Sequence, residues 1–335
     1  MVLPPLPREE IPGVELEYGS VVTDRGHRLR TIVSRPKGAA SRLPAILMLG
    51  WLSCDSVERP VGRLYGHHQL MHGIAAESGY VFMRVEKPGV GDSDGPPCAE
   101  ADLADELAGY RAGLRELKRR DDVDPGRVVL LGISNGGGIA PLVAEGELVA
   151  GIIATGGWVK TWYEHMIEHE RRRMALEGLA PGEVNSRLKG FQELYTAYLI
   201  DKKTPGEAIA ERPHLRSIWY DAPAHQYGRP AAFYQQLQEL NLEEAWSKVD
   251  VPVLVVYGEF DWIMSREDHG MIVEIVNRRR PGTARLEVIP RMHHSFFVHD
   301  TREQSFRDYA SGRFDPKVLA VMVSWLRGLA ARPAR

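Results

Sequence analysis

The stretch that most restricts the fold of this chain is RVVLLGISNGGGIA, residues 127–140. It begins with aliphatic residues, as a buried strand does, and continues into small residues that suit a tightly packed helix. One serine, Ser134, stands between Gly132 and Gly136 where the strand pattern gives way to the helix pattern. This is the context in which Gly-x-Ser-x-Gly presents its serine as a nucleophile, because only glycine fits beside so sharp a turn. A glycine-rich turn without chemistry is the alternative.

Around this stretch, apolar segments alternate with helical patterns, which predicts an α/β fold with a mostly parallel sheet covered by helices on both faces. Two segments of alternating polarity near the start, joined at Arg25 and Gly26, predict an antiparallel pair. The predicted strands lie within residues 14–24, 27–36, 43–52, 80–86, 127–134, 149–157, 251–261 and 284–290. The predicted helices lie at 101–120, Asn135–Glu145, Ser265–Arg279 and Pro316–Leu329.

One block breaks the alternation. Residues 159–246 show no convincing strand, carry many charges and hold an unusual share of the aromatic residues. A block of this kind between two core strands predicts an inserted helical cap, so that residues 14–158 and 247–333 form the core. A second, smaller insertion, residues 53–73, follows the third predicted strand.

Composition excludes several classes of protein. The chain has 335 residues and a formal net charge of −3, which argues against a broad surface for nucleic acid or an anionic membrane. It contains no uncharged apolar run near the ~18 residues that a membrane helix needs. The start is rich in proline and carries two glutamates where a signal peptide would be apolar. The expectation is a soluble, cytoplasmic protein.

The only two cysteines, Cys54 and Cys98, provide neither a disulfide framework nor a cysteine-based zinc site. Two free thiols in a reducing compartment are the default expectation. Both cysteines follow neighbouring predicted strands, so they can be close, but spacing alone does not establish a bond.

A serine becomes a good nucleophile when an imidazole takes its proton and a carboxylate orients that imidazole. On an open α/β sheet these groups come from loops at the carboxyl ends of strands. Asp261 directly follows the strand VPVLVVYGEF, and His294 follows the last strand in IPRMHHSFF. The chain order Ser134, Asp261, His294 is the order of a hydrolase triad on such a sheet. Glu259 and His293 are the nearest rivals for the acid and the base.

With these residues in place, the chain resembles an α/β-hydrolase-fold serine hydrolase of the esterase- and peptidase-like kind with a helical cap. GISNG resembles the nucleophile elbow, VYGEFDWI the acid loop and RMHHSFF the histidine loop. MLGWL resembles the strand that supplies an oxyanion donor, and KPGVGDSDG the glycine-rich loop after the next strand. The resemblance covers nearly the whole chain and implies cleavage of an ester-like bond (ester, thioester or small amide) through an acyl-enzyme.

The resemblance also implies no metal, no organic cofactor and a small-molecule acyl substrate, while the composition argues against nucleic acid and membrane as partners. A homodimer stays open. The backbone N–H of Asn135 is the expected first oxyanion donor, and that of Trp51 the second, with Leu52 as the alternative. Leu49 stands where many relatives have histidine, which leaves a backbone donor unaffected.

Three aromatic residues, Trp158, Trp162 and Tyr163, enter the predicted cap nearest to Ser134 along the chain and are expected to contact the substrate. Packing of the cap onto the core is the alternative role for such residues.

The residues allow three other interpretations of the chemistry. His165-x-x-Glu168-His169 matches an inverted zinc-protease pattern, although the sequence offers no third ligand and a charged cap helix accounts for the same residues. A non-catalytic binding protein on a hydrolase fold has usually lost triad members, and here all three are present. An acyltransferase or cyclase would use the same triad and stays open.

Overall fold

The computed structural model describes residues 8–39, 42–60 and 62–331. Within them, eight strands form one sheet: β1 Val14–Val22, β2 Arg28–Pro36, β3 Leu43–Leu49, β4 Val81–Val85, β5 Val123–Ile133, β6 Gly151–Thr155, β9 Val253–Gly258 and β10 Ala284–Ile289. Their order in the sheet is β1-β2-β4-β3-β5-β6-β9-β10. Strand β2 pairs antiparallel with both of its neighbours, β1 and β4, and every other contact in the sheet is parallel. This arrangement confirms the mostly parallel sheet expected from the sequence.

The central strands are continuous apolar runs because helices cover both faces of the sheet. All residues of β4, β6 and β9 are buried. The helices of this core are α1 Gly66–Glu77, α2 Leu103–Arg119, α3 Asn135–Ala144, α9 Arg266–Arg279, α10 Arg302–Arg307 and α11 Pro316–Ala330. One face of the sheet packs on α2, α3 and α9, and the other packs on α1 and α11.

The segment predicted as a cap, residues 159–246, is mainly helical between β6 and β9; we refer to it as the helical insert. A capping box begins its first helix: the Thr161 side chain accepts from the Glu164 N–H, and Glu164 accepts from the Thr161 N–H. The last helix runs one residue past the predicted boundary, to Ser247. The elements of the insert are α4 Trp162–Leu176, α5 Pro181–Tyr195, a π-helical turn Thr196–Ile200, α6 Pro205–Glu211, a 3₁₀ turn Pro213–Ser217, α7 Ala231–Gln238 and α8 Leu242–Ser247.

The helical insert also contains a small hairpin that the sequence pattern did not indicate. Its strands, β7 His225–Gln226 and β8 Arg229–Pro230, pair antiparallel around a two-residue turn. Both turn residues have positive φ, 49° at Tyr227 and 72° at Gly228. This is the turn geometry that matches strand twist in tight hairpins. A two-residue strand is too short for a visible alternation of polar and apolar residues. Another two-residue pair, β11 Phe297–Val298 with β12 Arg313–Phe314, follows β10.

The smaller predicted insertion, residues 53–73, contains the start of α1. Gly66, the first residue of this helix, lies directly against the loop that carries His294. A Cβ atom at Gly66 would be 1.8 Å from the Ser295 carbonyl oxygen. The helix therefore packs on the histidine loop through a position that only glycine can occupy.

Cys54 and Cys98 form a disulfide bond, which corrects the expectation of two free thiols. Cys54 follows β3 and Cys98 lies in the loop after β4, and these strands are parallel neighbours. Their loops meet because parallel neighbours end at the same edge of the sheet. Disulfides persist in oxidising environments, so cysteine usage no longer supports a reducing compartment. Separately, no helix among residues 8–331 that the structure describes combines the length and the apolarity needed to cross a bilayer.

The close approach at Gly66 leads to an expected stability difference between two glycine substitutions. Gly66→Ala forces the histidine loop to move and should lower the free energy of unfolding by about 1–3 kcal/mol. Gly328→Ala is the matched control in α11, because no atom lies within 4 Å of a Cβ there. This control should raise stability by about 0.4–1 kcal/mol. Urea denaturation of both variants measures the contrast, and equal stability of the two would contradict the assigned contact.

Candidate active site

The serine lies on a strained turn between β5 and α3. Ser134 has φ 57° and ψ −119°, a conformation that a non-glycine residue rarely adopts. Two glycines make the turn possible. A Cβ at Gly132 would be 2.3 Å from the Gly136 carbonyl oxygen, and a Cβ at Gly136 would be 2.2 Å from the Leu49 carbonyl oxygen. The Gly-x-Ser-x-Gly spacing is therefore required by packing between the turn and the end of β3.

The three residues predicted as a triad meet at the carboxyl edge of the sheet. The His294 Nδ1 atom is 2.7 Å from Asp261 Oδ2, and its Nε2 atom is 3.0 Å from Ser134 Oγ. With the proton on Nδ1 donated to the carboxylate, Nε2 is free to accept the hydroxyl proton of Ser134. All three side chains are buried. This geometry lets His294 remove the serine proton while Asp261 stabilises the resulting imidazolium.

Asp261 is fixed by the backbone of its own loop. Its Oδ1 atom accepts hydrogen bonds from the N–H groups of Ile263 and Met264, both at 2.9 Å. Burial alone would raise the pKa of Asp261, but the His294 imidazole and the Met264 N–H hold it below its ordinary value. The rival carboxylate, Glu259, is exposed and accepts from the Arg291 N–H at 2.8 Å.

His293, the alternative to His294 as the base, has both ring nitrogens bound to backbone groups. His293 Nδ1 accepts from the Ser295 N–H at 3.0 Å, and its Nε2 donates to the Tyr309 carbonyl at 3.2 Å. Its ring packs between those of His299 and Tyr309, with centroid distances of 4.7 and 5.0 Å. Burial lowers the pKa of His293 to about 4, so the imidazole is neutral near pH 7. Both nitrogens are engaged in holding the loop that carries His294.

The loop after β6 forms a wall against the His294 ring. Gly156 has φ 58°, and a Cβ there would be 2.8 Å from His294 Cε1. The next residue, Gly157, donates its N–H to His269 Nε2 at 3.1 Å, while His269 Nδ1 donates to the Ser265 carbonyl at 2.7 Å. The sequence did not single out His269 as a support for this loop. Its only signal was its place in the helix after Asp261.

A cavity of about 760 Å³ opens above Ser134 and His294. Its surface is mainly apolar and includes several aromatic rings, and Tyr65, Tyr220 and Tyr227 are exposed to solvent at its edge. Charged side chains also line it: Asp55, Glu58, Arg59 and Arg173. The aromatic lining residues are Trp51, Tyr65, Trp162, Tyr220, Tyr227, Trp262, Phe297 and Tyr309. Two imidazoles from α4, His165 and His169, add polar atoms to the same wall.

Of the three aromatic residues expected to contact the substrate, Trp162 lines the cavity, and Trp158 and Tyr163 do not. Trp158 is fully buried beneath it and donates its Nε1–H to Asn135 Oδ1 at 3.3 Å. Tyr163 is half-buried and packs against the apolar core on the side of the sheet that α2, α3 and α9 cover. Closeness along the chain to Ser134 does not determine which side chains face the cavity, because Trp158 lies before α4 and Trp162 and Tyr163 lie on different faces of that helix.

The zinc-like pattern in α4 does not assemble a ligand set. Glu168 forms an ion pair with Lys160 at 2.5 Å instead of joining the imidazoles of His165 and His169. Within the part of the chain that the structure describes, no group of three His, Cys, Asp or Glu side chains is arranged to hold a metal ion.

Comparisons with known proteins identify a family and a fold for the chain. The family model for X-Pro dipeptidyl-peptidase (S15 family) matches residues 25–295. Similar solved structures include Est1E from Butyrivibrio proteoclasticus with ferulic acid bound, 18% identical, TM-score 0.60, covering 94% of this chain and 100% of that one. The α/β hydrolase GrgF from Penicillium sp. sh18 is 19% identical, with a TM-score of 0.59 and coverage of 95% and 100%.

DcsB in complex with its substrate analogue is 17% identical, with a TM-score of 0.61 and coverage of 95% and 100%. No curated protein sequence matches the chain. At these identities the structural likeness concerns the fold, and it confirms the α/β-hydrolase fold expected from the sequence.

The depressed pKa of His293 leads to an expected dependence of stability on pH. The unfolded chain binds a proton on this imidazole near pH 6.5, whereas the folded chain does so only near pH 4. Between these values the unfolded state holds more protons, so the free energy of unfolding falls as the pH falls. His293→Gln should flatten this slope by roughly 1 kcal/mol per pH unit.

Urea titrations at pH 7, 6 and 5 measure the slope. Ser247→Ala, at an exposed position without a titratable group, is the control and should leave the slope as in the wild type. An unchanged slope in His293→Gln would show that this imidazole titrates normally in the folded protein.

Proposed function

The chain belongs to the X-Pro dipeptidyl-peptidase (S15) family and is an α/β-hydrolase-fold serine hydrolase, and from this premise we propose that it cleaves an ester-like bond through an acyl-enzyme on Ser134. The observation that supports this most strongly is the continuous hydrogen-bonded sequence Ser134–His294–Asp261. An ester, a thioester and a small amide all fall within this proposal. The description of the family favours a peptide amide among them.

In the first step, His294 Nε2 takes the proton of Ser134 as Oγ forms a bond to the substrate carbonyl carbon. The carbonyl oxygen takes the negative charge. When the tetrahedral intermediate collapses, the bond to the leaving group breaks, and the proton passes from Nε2 to that group. Water then repeats the sequence: it gives a proton to His294 and attacks the acyl carbon, and Ser134 leaves with the proton returned. Another nucleophile in place of water would make the same residues an acyltransferase or cyclase.

The oxyanion formed in both steps needs donors in a fixed position. Asn135 is the first residue of α3, so its N–H has no partner within the helix and is one donor. The second donor is the N–H of Trp51, with Leu52 as the alternative. The Gly136 N–H donates to the Gly50 carbonyl at 2.8 Å, which holds the loop of Trp51 beside the first turn of α3.

Substrate selection is assigned to the helical insert, which supplies Trp162 and the two rim tyrosines Tyr220 and Tyr227 to the cavity. Core strands position the reacting groups, and inserted segments above their carboxyl ends decide what reaches them. A mainly apolar cavity of about 760 Å³ that includes several aromatic rings suits a bulky apolar or planar group beside the reacting carbonyl.

Loss of the nucleophile tests the mechanism. Ser134→Ala should fold and should lose several orders of magnitude in hydrolysis, together with covalent labelling by a fluorophosphonate probe. The measurement is kcat/KM on a panel of acyl esters, thioesters and aminoacyl amides that includes an X-Pro amide. Ser247→Ala, an exposed serine in α8, is the control and should retain labelling. Labelling that persists in Ser134→Ala would place the reactive serine elsewhere.

Selectivity tests the role of the cavity wall. Trp162→Ala removes apolar contact and should lower kcat/KM for a bulky ester about 10- to 200-fold relative to a short reactive ester. Tyr163→Ala is the matched control, because the adjacent ring lies outside the cavity wall. An equal loss on both esters would assign Trp162 to folding or to catalytic geometry instead of substrate selection.

A further inference from the structure

The loop after β3, residues 50–54, carries the proposed oxyanion donor Trp51, and we call it the oxyanion loop. Its first residue is held through both backbone groups. The Gly50 N–H donates to the Tyr110 hydroxyl at 2.9 Å, and the Gly50 carbonyl accepts from the Gly136 N–H at 2.8 Å. The peptide that connects Leu49 to Gly50 is therefore held by α2, and the next peptide, from Gly50 to Trp51, is held by α3.

The Tyr110 hydroxyl is itself part of a buried chain. It donates to Glu106 Oε1, one helical turn earlier in α2, at 3.0 Å. Burial first, and then the Glu106 carboxylate, raise the pKa of Tyr110 well above its ordinary value. The hydroxyl therefore keeps its proton and can donate to Glu106 while it accepts from Gly50. Donation to a carboxylate polarises the hydroxyl and makes it a better acceptor.

This series of hydrogen bonds ends at Arg229, in the helical insert. Arg229, in β8, donates from Nη2 to Glu106 Oε2 at 2.9 Å, and both side chains are almost completely buried. Its Nη1 atom lies 2.8 Å from the sulfur of Cys98, and its guanidinium lies 4.2 Å from the ring centroid of Phe233 in α7. Cys98 is bonded to Cys54 at the other end of the oxyanion loop. Arg229 thus contacts Glu106, which binds the Tyr110 hydroxyl that holds Gly50, and it also contacts Cys98, which is bonded to Cys54. Both ends of the oxyanion loop are connected in this way to one side chain of the insert.

Stability alone is a poor reason for such an arrangement. Removing two charges from water costs several kcal/mol per ion, and well-packed apolar residues often replace a buried ion pair without loss. What the pair does provide is a fixed position for Tyr110 and hence for Gly50. Catalysis depends on such fixing, because an oxyanion donor contributes most when it is already oriented before charge develops.

We propose that Arg229, Glu106 and Tyr110 are positioning residues that hold the oxyanion loop in register with Ser134, so that the helical insert controls the catalytic step as well as access. This inference rests on the proposed function, in which the Trp51 N–H binds the oxyanion. None of the three side chains touches the substrate cavity. Their effect should therefore appear in the transition state and not in ground-state binding.

Tyr110→Phe removes the acceptor of the Gly50 N–H while it keeps the ring in the core. It should lower kcat about 10- to 100-fold, with KM changed by less than about threefold. Affinity for benzeneboronic acid, which forms a tetrahedral adduct on the nucleophilic serine, should fall by a similar factor. Tyr80→Phe is the matched control: its buried hydroxyl donates to the Leu326 carbonyl at 2.7 Å on the opposite face of the sheet. This control should retain wild-type kcat and boronate affinity.

A double-mutant cycle connects the insert to the loop. Arg229→Lys should lower kcat in the same direction as Tyr110→Phe, and the two losses should be strongly non-additive because both act through Gly50. Glu106→Gln keeps the shape of the side chain and replaces Tyr110→Phe if that variant does not fold. Wild-type kcat and boronate affinity in Tyr110→Phe, or additive losses in the cycle, would overturn this inference. Activity that survives in Ser134→Ala would instead overturn the proposed function.

Discussion

The site depends on how closely the turn at Ser134 approaches the end of β3. Gly136 lies so near the Leu49 carbonyl that any side chain at this position would collide with the backbone of the neighbouring strand. This contact places the start of α3 beside the oxyanion loop, so that the proposed nucleophile and both proposed oxyanion donors share one small volume. The positive φ of Ser134 follows from the same constraint, since the chain has to reverse within one residue to enter α3. Packing between adjacent parallel strands thus determines the geometry of the proposed catalytic groups.

Burial gives the site its electrostatic character. Imidazoles such as His165, His269 and His293 have pKa values lowered mainly by desolvation, so they act as neutral hydrogen-bonding groups near pH 7. His294 differs from these rings in its hydrogen-bond partner, because its Nδ1 donates to the buried Asp261 carboxylate. The proposed base thus lies among imidazoles that carry no charge near pH 7. Its own Nε2 atom lies 3.0 Å from Ser134 Oγ, which gives the serine proton a direct path to this ring.

Much of the fold was predictable because strands such as β3, β6 and β9 are apolar runs that are followed by glycine or a polar residue. The same pattern placed Ser134, Asp261 and His294 on loops at one edge of the sheet, and the structure brings their side chains within hydrogen-bond distance. Helix α1 was not predicted at all, because its buried face includes Gly66 and His68, which weaken the apolar stripe.

The residues that support the site could not be predicted from the sequence for a different reason. Glu106 and Tyr110 appeared to be ordinary members of an amphipathic helix, and Arg229 lies more than a hundred residues away in a two-residue strand. Nothing local to either segment indicates that they meet. Likewise, the burial of Trp158 beneath the cavity depends on Gly138, where a Cβ would be 2.5 Å from the indole nitrogen. Such pairings arise only when the tertiary structure forms.

The pairing of β6 with β9 has a consequence for how a protein of this shape can change over evolutionary time. Ile152 and Thr155 pair directly with Val253 and Val256, so the sheet itself holds the two ends of the helical insert one strand spacing apart. The entropy cost of closing a segment between fixed ends grows only with the logarithm of its length. A longer, shorter or unrelated segment can therefore occupy the same position without altering the register of the sheet. Such an exchange would, however, remove the contact of Arg229 with Glu106 of α2. A new insert has to recreate that contact, or the oxyanion loop is held less firmly.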